Sequence, residues 1–220
     1  MSNDGRKAGA TDHYWRIPKW FSDLTPEQID ALKIYKDEIH YFNGHMSLIS
    51  PRTEREADKV HIADAILGSR AILADTKSKE IYDAGSGNGL PGLVMAILAP
   101  DRTIKLIDTD TRKMEFLRHS ASRIKLSNVS FIQARVEEVP ESSISCMVTR
   151  GLASLSKCLL MFRRASKTGC TVYHFKGPAW SSEIAEVPPQ VLSAWEISHF
   201  KDYLLPESAT ELSLLKTIRK

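Results

Sequence analysis

Ten residues of this 220-residue chain, "DAGSGNGLPG" from Asp83 to Gly92, have the types and spacing most suited to chemistry. Gly85, Gly87 and Gly89 alternate with small or polar residues. Lacking Cβ atoms, they let the backbone bend sharply and come close to a ligand. The candidates are a pyrophosphate, a dinucleotide, or the amino-acid end of a sulfonium nucleoside. A dinucleotide turn follows G-x-G-x-x-G, and Leu90 stands where its third glycine belongs. Pro91 opens the following helix and has no N–H to offer a phosphate. No Lys-Ser/Thr pair of a nucleoside-triphosphate loop follows. Asp83 would repel a dianionic pyrophosphate but suits an ammonium. S-adenosylmethionine, with an ammonium, a sulfonium and no phosphate, fits this turn best.

Other positions extend the candidate site. Asp108 ends an apolar run roughly 20 residues after the glycines, where a carboxylate accepts hydrogen bonds from both ribose hydroxyls. Backbone groups near Val136 and Glu137, after the next strand, are placed to read an adenine edge. Arg150 could bind cofactor, a phosphate, or a guanine O6 through charge-assisted hydrogen bonds. Arg163, Arg164 and Lys176 are candidate grips on RNA phosphate. His61 and Asp64 read as a helix-surface pair that packs the N-terminal helices onto the domain.

The elements that must hold these residues alternate regularly. "TPEQIDALKIYKDEIHYF" predicts a helix with Thr25 as N-cap, Pro26 at its first position and Gln28 completing a capping box. Its apolar stripe is Ile29, Leu32, Tyr35, Ile39 and Phe42, and Asn43-Gly44 ends it. "TEREADKVHIADAILGSRAILAD" reads as one second helix, with a possible Thr53–Glu56 box. From Lys79 the order is strand, helix, strand, helix: "EIYDAG", "LPGLVMAILAP", "TIKLID", "TRKMEFLRHSASRIKL", "VSFIQA", "SISCMVTRG", "LASLSKCLLMFRRAS" and "TVYHFKG". "SAWEISHF" and "ELSLLKTIRK" read as a closing antiparallel pair. This alternation argues for a mostly parallel sheet with helices on both faces.

Composition sets outer bounds. A hydrophobic content of 42% and a charged content of 26% are those of an ordinary globular protein. No window reaches the apolar length of a membrane span. Residues 1–20 are expected to be a flexible tail, 21–78 a helical extension, and 79–220 the ligand-binding domain. Cys146, Cys158 and Cys170 have no CxxC spacing, so no metal site or disulfide is expected, only buried thiols in a reducing cytoplasm. Residues 150–177 hold six basic side chains and no acidic one, and 102–135 hold eight against three. Such runs suit either a solvated face or an RNA surface.

"DAGSGNGLPG", "LID", "RVEEVP", "VTRGLASL" and "FKG", with "VHIADAIL" upstream, resemble the ribosomal RNA small subunit methyltransferase G family, also called glucose-inhibited division protein B. Similar segments run from about Tyr41 to Glu183, and the Leu-Pro-Gly is their most diagnostic part. The resemblance implies an α/β, Rossmann-like class I methyltransferase fold with a mostly parallel seven-stranded sheet and an N-terminal helical extension. It implies transfer of methyl from S-adenosylmethionine to N7 of a guanine in 16S rRNA, free or in the small subunit. The implied cofactor contacts are Gly85, Leu90, Val136, Glu137 and Arg150, with Asp83 and Asp108 in support. The chain departs from the family at Phe42, at Ser47-Leu48-Ile49, at Ser145 and at Gly151. A ring-nitrogen acceptor agrees with the residues: no Asn/Asp-Pro-Pro-aromatic segment holds an exocyclic amine, and no Pro-Cys nucleophile is present. The residues alone leave open a small-molecule or protein acceptor, or a non-catalytic cofactor- or RNA-binding regulator. A monomer is expected.

Overall fold

The computed structural model describes residues 13–220. Seven apolar runs form strands: β1 (Glu80–Ala84), β2 (Thr103–Asp108), β3 (Val129–Gln133), β4 (Ile144–Arg150), β5 (Ser166–Lys176), β6 (Trp195–Leu204) and β7 (Glu211–Arg219). They build one sheet in the order β3-β2-β1-β4-β5-β7-β6. The first five are parallel. β7 runs antiparallel between β5 and β6, so the expected closing pair is present. Strand order reverses between β1 and β4, and a parallel sheet opens its ligand crevice beyond the carboxyl ends there.

The connections are α1 (Ile17–Trp20), α2 (Pro26–Met46), α3 (Pro51–Glu54), α4 (Asp64–Asp75), α5 (Gly92–Leu98), α6 (Thr111–Arg123), α7 (Leu155–Phe162), α8 (Trp180–Ala185) and α9 (Pro189–Leu192). The capping box of α2 forms as expected, with Gln28 N donating to Thr25 Oγ1 and Thr25 N to Gln28 Oε1. The helix passes through Asn43-Gly44 to Met46 and ends on Ser47, which is left-handed (φ 50°). Asn43 is nearly buried, and its Oδ1 accepts from Ile49 N, so it holds the next segment instead of stopping the helix.

The expected single second helix is broken. After α3 comes a turn, then a π-helical stretch, Asp58–Ala63, that leads into α4. Buried aspartates open both this stretch and α4, with different partners: Asp58 meets Arg16, and Asp64 meets Arg150. The Thr53–Glu56 box does not form; Thr53 Oγ1 donates to Ser50 O instead. Of the tail expected over 1–20, residues 1–12 lie outside the described residues. The remainder is packed: Ile17 is fully buried, and Arg16 donates three hydrogen bonds to Asp58, at 2.8, 3.0 and 2.8 Å. α8 and α9, unforeseen, lie between β5 and β6.

Two cores flank the sheet. On one face the N-terminal helices and α5 and α6 bury Ile17, Leu32, Tyr35, Ile62 and Ile66 with Leu106, Val148 and Phe175. On the other, α7 and α9 bury Leu155, Leu159, Phe162 and Val191 against Met147, Val172 and Trp195. The expected thiols Cys146, Cys158 and Cys170 are buried and free.

α4 lies unusually close to the sheet. A Cβ at Gly68 would sit 2.2 Å from the Phe175 ring on β5. Gly68→Ala should therefore cost about 1–3 kcal/mol in overpacking, which outweighs alanine's gain of about 1 kcal/mol in helix propensity. Urea unfolding should show a lower midpoint, partly restored by adding Phe175→Leu. An unchanged midpoint would contradict the close approach.

Candidate active site

The loop Gly85–Pro91 follows β1 and lies at the switch point. Gly85, Gly87 and Gly89 have φ of 71°, 52° and 86°, the left-handed region that glycine enters without steric cost. The last two serve different ends. A Cβ on Gly89 would meet Leu117, Leu93 and Tyr35 Oη, each at 2.8 Å, so this side of Gly89 packs inward, and the residue lines neither recess described below. A Cβ on Gly87 would meet nothing closer than Gly85 O at 3.7 Å. Gly87 is therefore the bare, outward-facing position.

Two recesses meet at Gly85, Asp108, Thr109 and Leu152 and form one cleft. The first, about 230 Å³, is walled by Ile107, Val136, Leu152 and Met161, with Arg135 and Glu137 at its edge. Its apolar walls suit a flat ring. The second, about 490 Å³, is more polar and more spacious. It is lined by Ser86–Asn88, Leu90, Lys113, Arg150 and Gly151, with Ser47 and Leu48 from the N-terminal extension. Gly85, Gly87, Leu90, Asp108, Val136, Glu137 and Arg150 thus line one cleft.

Asp108 holds the loop as well as lining both recesses. Gly87 N donates to its Oδ2 at 2.7 Å and Asp110 N to its Oδ1 at 3.0 Å. Each carboxylate oxygen keeps a further lone pair, so the ribose role stays chemically open.

Asp83 differs from expectation. It is fully buried behind the loop and lines neither recess. Gly92 N donates to its Oδ2 at 3.0 Å, while Oδ1 has no partner among the described residues. Asp83 thus takes the first N–H of α5, and Leu93 N donates to Gly89 O, so neither N–H is left for a phosphate.

Arg150 leaves β4 at the second recess. Its Nη1 donates to Asp64 Oδ2 at 2.8 Å, and Tyr203 Oη donates to Asp64 Oδ1 at 2.6 Å. The expected His61–Asp64 pair is absent. His61 instead shares a 2.8 Å hydrogen bond with Thr53 Oγ1, and burial, helped by Arg150, lowers its pKa to about 3.

The three expected RNA grips do not come together. Lys176 Nζ donates to Glu183 at 2.6 Å, and Arg164 Nη1 donates to Glu137 O at 2.7 Å. Arg163 lines a separate small recess beside α9. Among the residues not foreseen in the cleft are Lys113, in the first turn of α6, and Asn88. Asn88 Nδ2 donates to Leu48 O and Tyr35 Oη donates to Asn88 O, which fastens the loop to the extension. The Asn between two glycines was the available signal.

The described residues also gather His13, His40 and Glu54, a set with metal-ligand chemistry. The two rings are stacked, with centroids 3.8 Å apart and planes 27° apart.

Burial pushes Asp83 up to about 7, partly opposed by the Gly92 hydrogen bond and by Arg150. An acid whose folded pKa exceeds its unfolded value binds more protons when folded, so its contribution to stability falls as pH rises between the two. Asp83→Asn keeps an acceptor for Gly92 N and does not titrate. Its stability relative to the wild type should rise from about pH 4 to pH 7 in urea unfolding. A difference independent of pH would contradict the buried, half-partnered carboxyl.

A family model described as rRNA small subunit methyltransferase G matches residues 28–209. Ribosomal RNA small subunit methyltransferase G 3 of Bdellovibrio bacteriovorus is 40% identical over 215 residues, 97% of each chain. Ribosomal RNA small subunit methyltransferase G of Photobacterium profundum is 29% identical over 166 residues, 75% of this chain and 79% of its own. Among solved structures, a SAM dependent methyltransferase from Aquifex aeolicus shares the fold with a TM-score of 0.55. That pair is 12% identical and covers 77% of this chain and 99% of the other. The sheet order, the cleft at its switch point and these matches agree: the chain belongs to the rRNA small subunit methyltransferase G family.

Proposed function

We propose that this protein methylates N7 of a guanine in 16S ribosomal RNA, in the cytoplasm. Its methyl donor is S-adenosylmethionine, and small-subunit rRNA methylation is the activity of its family. The cleft suits that donor. The walls at Ile107, Val136, Leu152 and Met161 would take the adenine, Asp108 the ribose, and the loop from Gly85 to Leu90 the methionine portion. Arg150 would hold the carboxylate, and the field of the buried Asp83 favours the ammonium. When bound, the cofactor supplies an electrophilic methyl on a sulfonium.

One observation carries the choice of N7. Among the described residues, the titratable side chains lining the second recess are Lys113, Arg150 and Asp108, and the lone pairs Asp108 has left beyond Gly87 N and Asp110 N are the ones the ribose hydroxyls would take. No side chain there stands ready as a general base. Guanine N7 carries a free lone pair and loses no proton on methylation, so it needs none. What the chain must do is align the acceptor with the methyl group, and alignment is the main catalytic resource of an in-line displacement. Asn88, Leu48 and Ser47 form the wall against which a base would be set, and Lys113 is placed to meet the RNA backbone.

Labelled cofactor incubated with small subunits or with stripped 16S rRNA should label the RNA. Borohydride reduction and aniline treatment should then cleave the chain at the labelled guanine, because N7 methylation weakens that nucleotide. Labelled RNA that resists cleavage would exclude N7. Label in neither RNA, with cofactor binding intact, would favour a small-molecule or protein acceptor, or a non-catalytic role. Asp108→Ala should weaken cofactor binding by roughly 1–3 kcal/mol if it holds the ribose hydroxyls, and calorimetry showing no change would remove that role.

A further inference from the structure

Arg150 does not enter the cleft alone. Asp64, only 6% exposed, stands at the first position of α4 and makes no side-chain cap there. Both its oxygens are engaged: Oδ2 accepts from Arg150 Nη1 at 2.8 Å and Oδ1 accepts from Tyr203 Oη at 2.6 Å. The three groups come from α4, from the end of β4 and from the edge strand β6. Gly68, one helical turn beyond Asp64, sets the depth of this arrangement by letting α4 rest on Phe175.

We propose that Asp64 and Tyr203 are positioning residues for Arg150, fixing its guanidinium so that its free N–H edge faces the ligand in the second recess. The inference rests on reading Arg150 as the partner of the cofactor carboxylate. A guanidinium carries five N–H donors in a rigid fork. One hydrogen bond to Asp64 orients that fork and leaves donors for the cleft. Tyr203 holds the other carboxylate oxygen, so Asp64 cannot rotate away from its partner. Pairing also offsets the charge of Arg150 beside a ligand that itself carries a sulfonium and an ammonium.

A double-mutant cycle read by calorimetry tests the link. Asp64→Asn should weaken S-adenosylmethionine binding roughly tenfold in the wild-type background and by less than about twofold in Arg150→Ala. The rate of methyl transfer at saturating cofactor should change far less than the KM for cofactor. Tyr203→Phe keeps the ring and drops only the hydroxyl, so a weaker loss from this variant, about threefold, does not come from misfolding. Equal losses in both backgrounds would make Asp64 a structural residue and overturn the proposal. So would an unaffected Asp64→Asn beside an impaired Arg150→Ala. If Arg150→Ala itself binds cofactor normally, the reading of Arg150 fails first and the positioning role falls with it.

Discussion

A loop that presents bare backbone to its ligand must be held by groups outside itself. Here two carboxylates flank the loop, beside the Ile107 carbonyl that accepts from Gly85 N and Ser86 N. Asp83 accepts from Gly92 N behind the loop, and Asp108 accepts from Gly87 N at its side. The two sit in different environments. Asp108 is partly buried and shared between loop and cleft, whereas Asp83 is fully buried with one oxygen unpartnered among the described residues. Burying a carboxylate that is only partly hydrogen-bonded is costly, so its proton is held more tightly than in water. That cost accompanies a small packing gain, because a Cβ on Gly92 would lie 2.6 Å from the same carboxylate. Loop, helix start and acid therefore depend on one another.

The sheet supplies a generic crevice, and the N-terminal extension makes it particular. Tyr35 donates to Asn88 O and Asn88 donates to Leu48 O, so α2 and the segment after it are tied to the ligand loop. Asp64 reaches Arg150 from the same extension. Tyr35 and Leu48 share one apolar core with the sheet. The first recess is lined mostly from strand ends and the loops after them, and the extension adds Ser47 and Leu48 to the second.

This division also explains what could be read from sequence. Strands β1 to β5, the α2 cap and the placement of Gly85, Gly87, Asp108, Val136 and Glu137 in one cleft rest on local signals: apolar runs, turn residues and a carboxylate at a strand end. The packed segment 13–20 and the π-helical turn before α4 rest on tertiary burial, as when Arg16 is drawn onto Asp58. No local pattern announces that. Asp83 was legible as important, but its side was not. A residue at the end of a strand buried on both faces can point into the sheet's packing as readily as into the crevice.

The acid-free run from 150 to 177 shows the same limit in its charges. Along the sequence it looks like a continuous basic surface. In space each of three cations finds its partner outside the run: Arg150 on Asp64, Lys176 on Glu183, and Arg164 on the carbonyl of Glu137. Side chains alternate across a strand and rotate around a helix, so a linear run of one sign does not define one face. Lys113, from a segment that also holds Asp110 and Glu115, lines the recess instead. The basic side chains lining the second recess thus come from two positions distant in sequence. One of them, Arg150, is already balanced, and the other, Lys113, is the cation better placed to draw a polyanion.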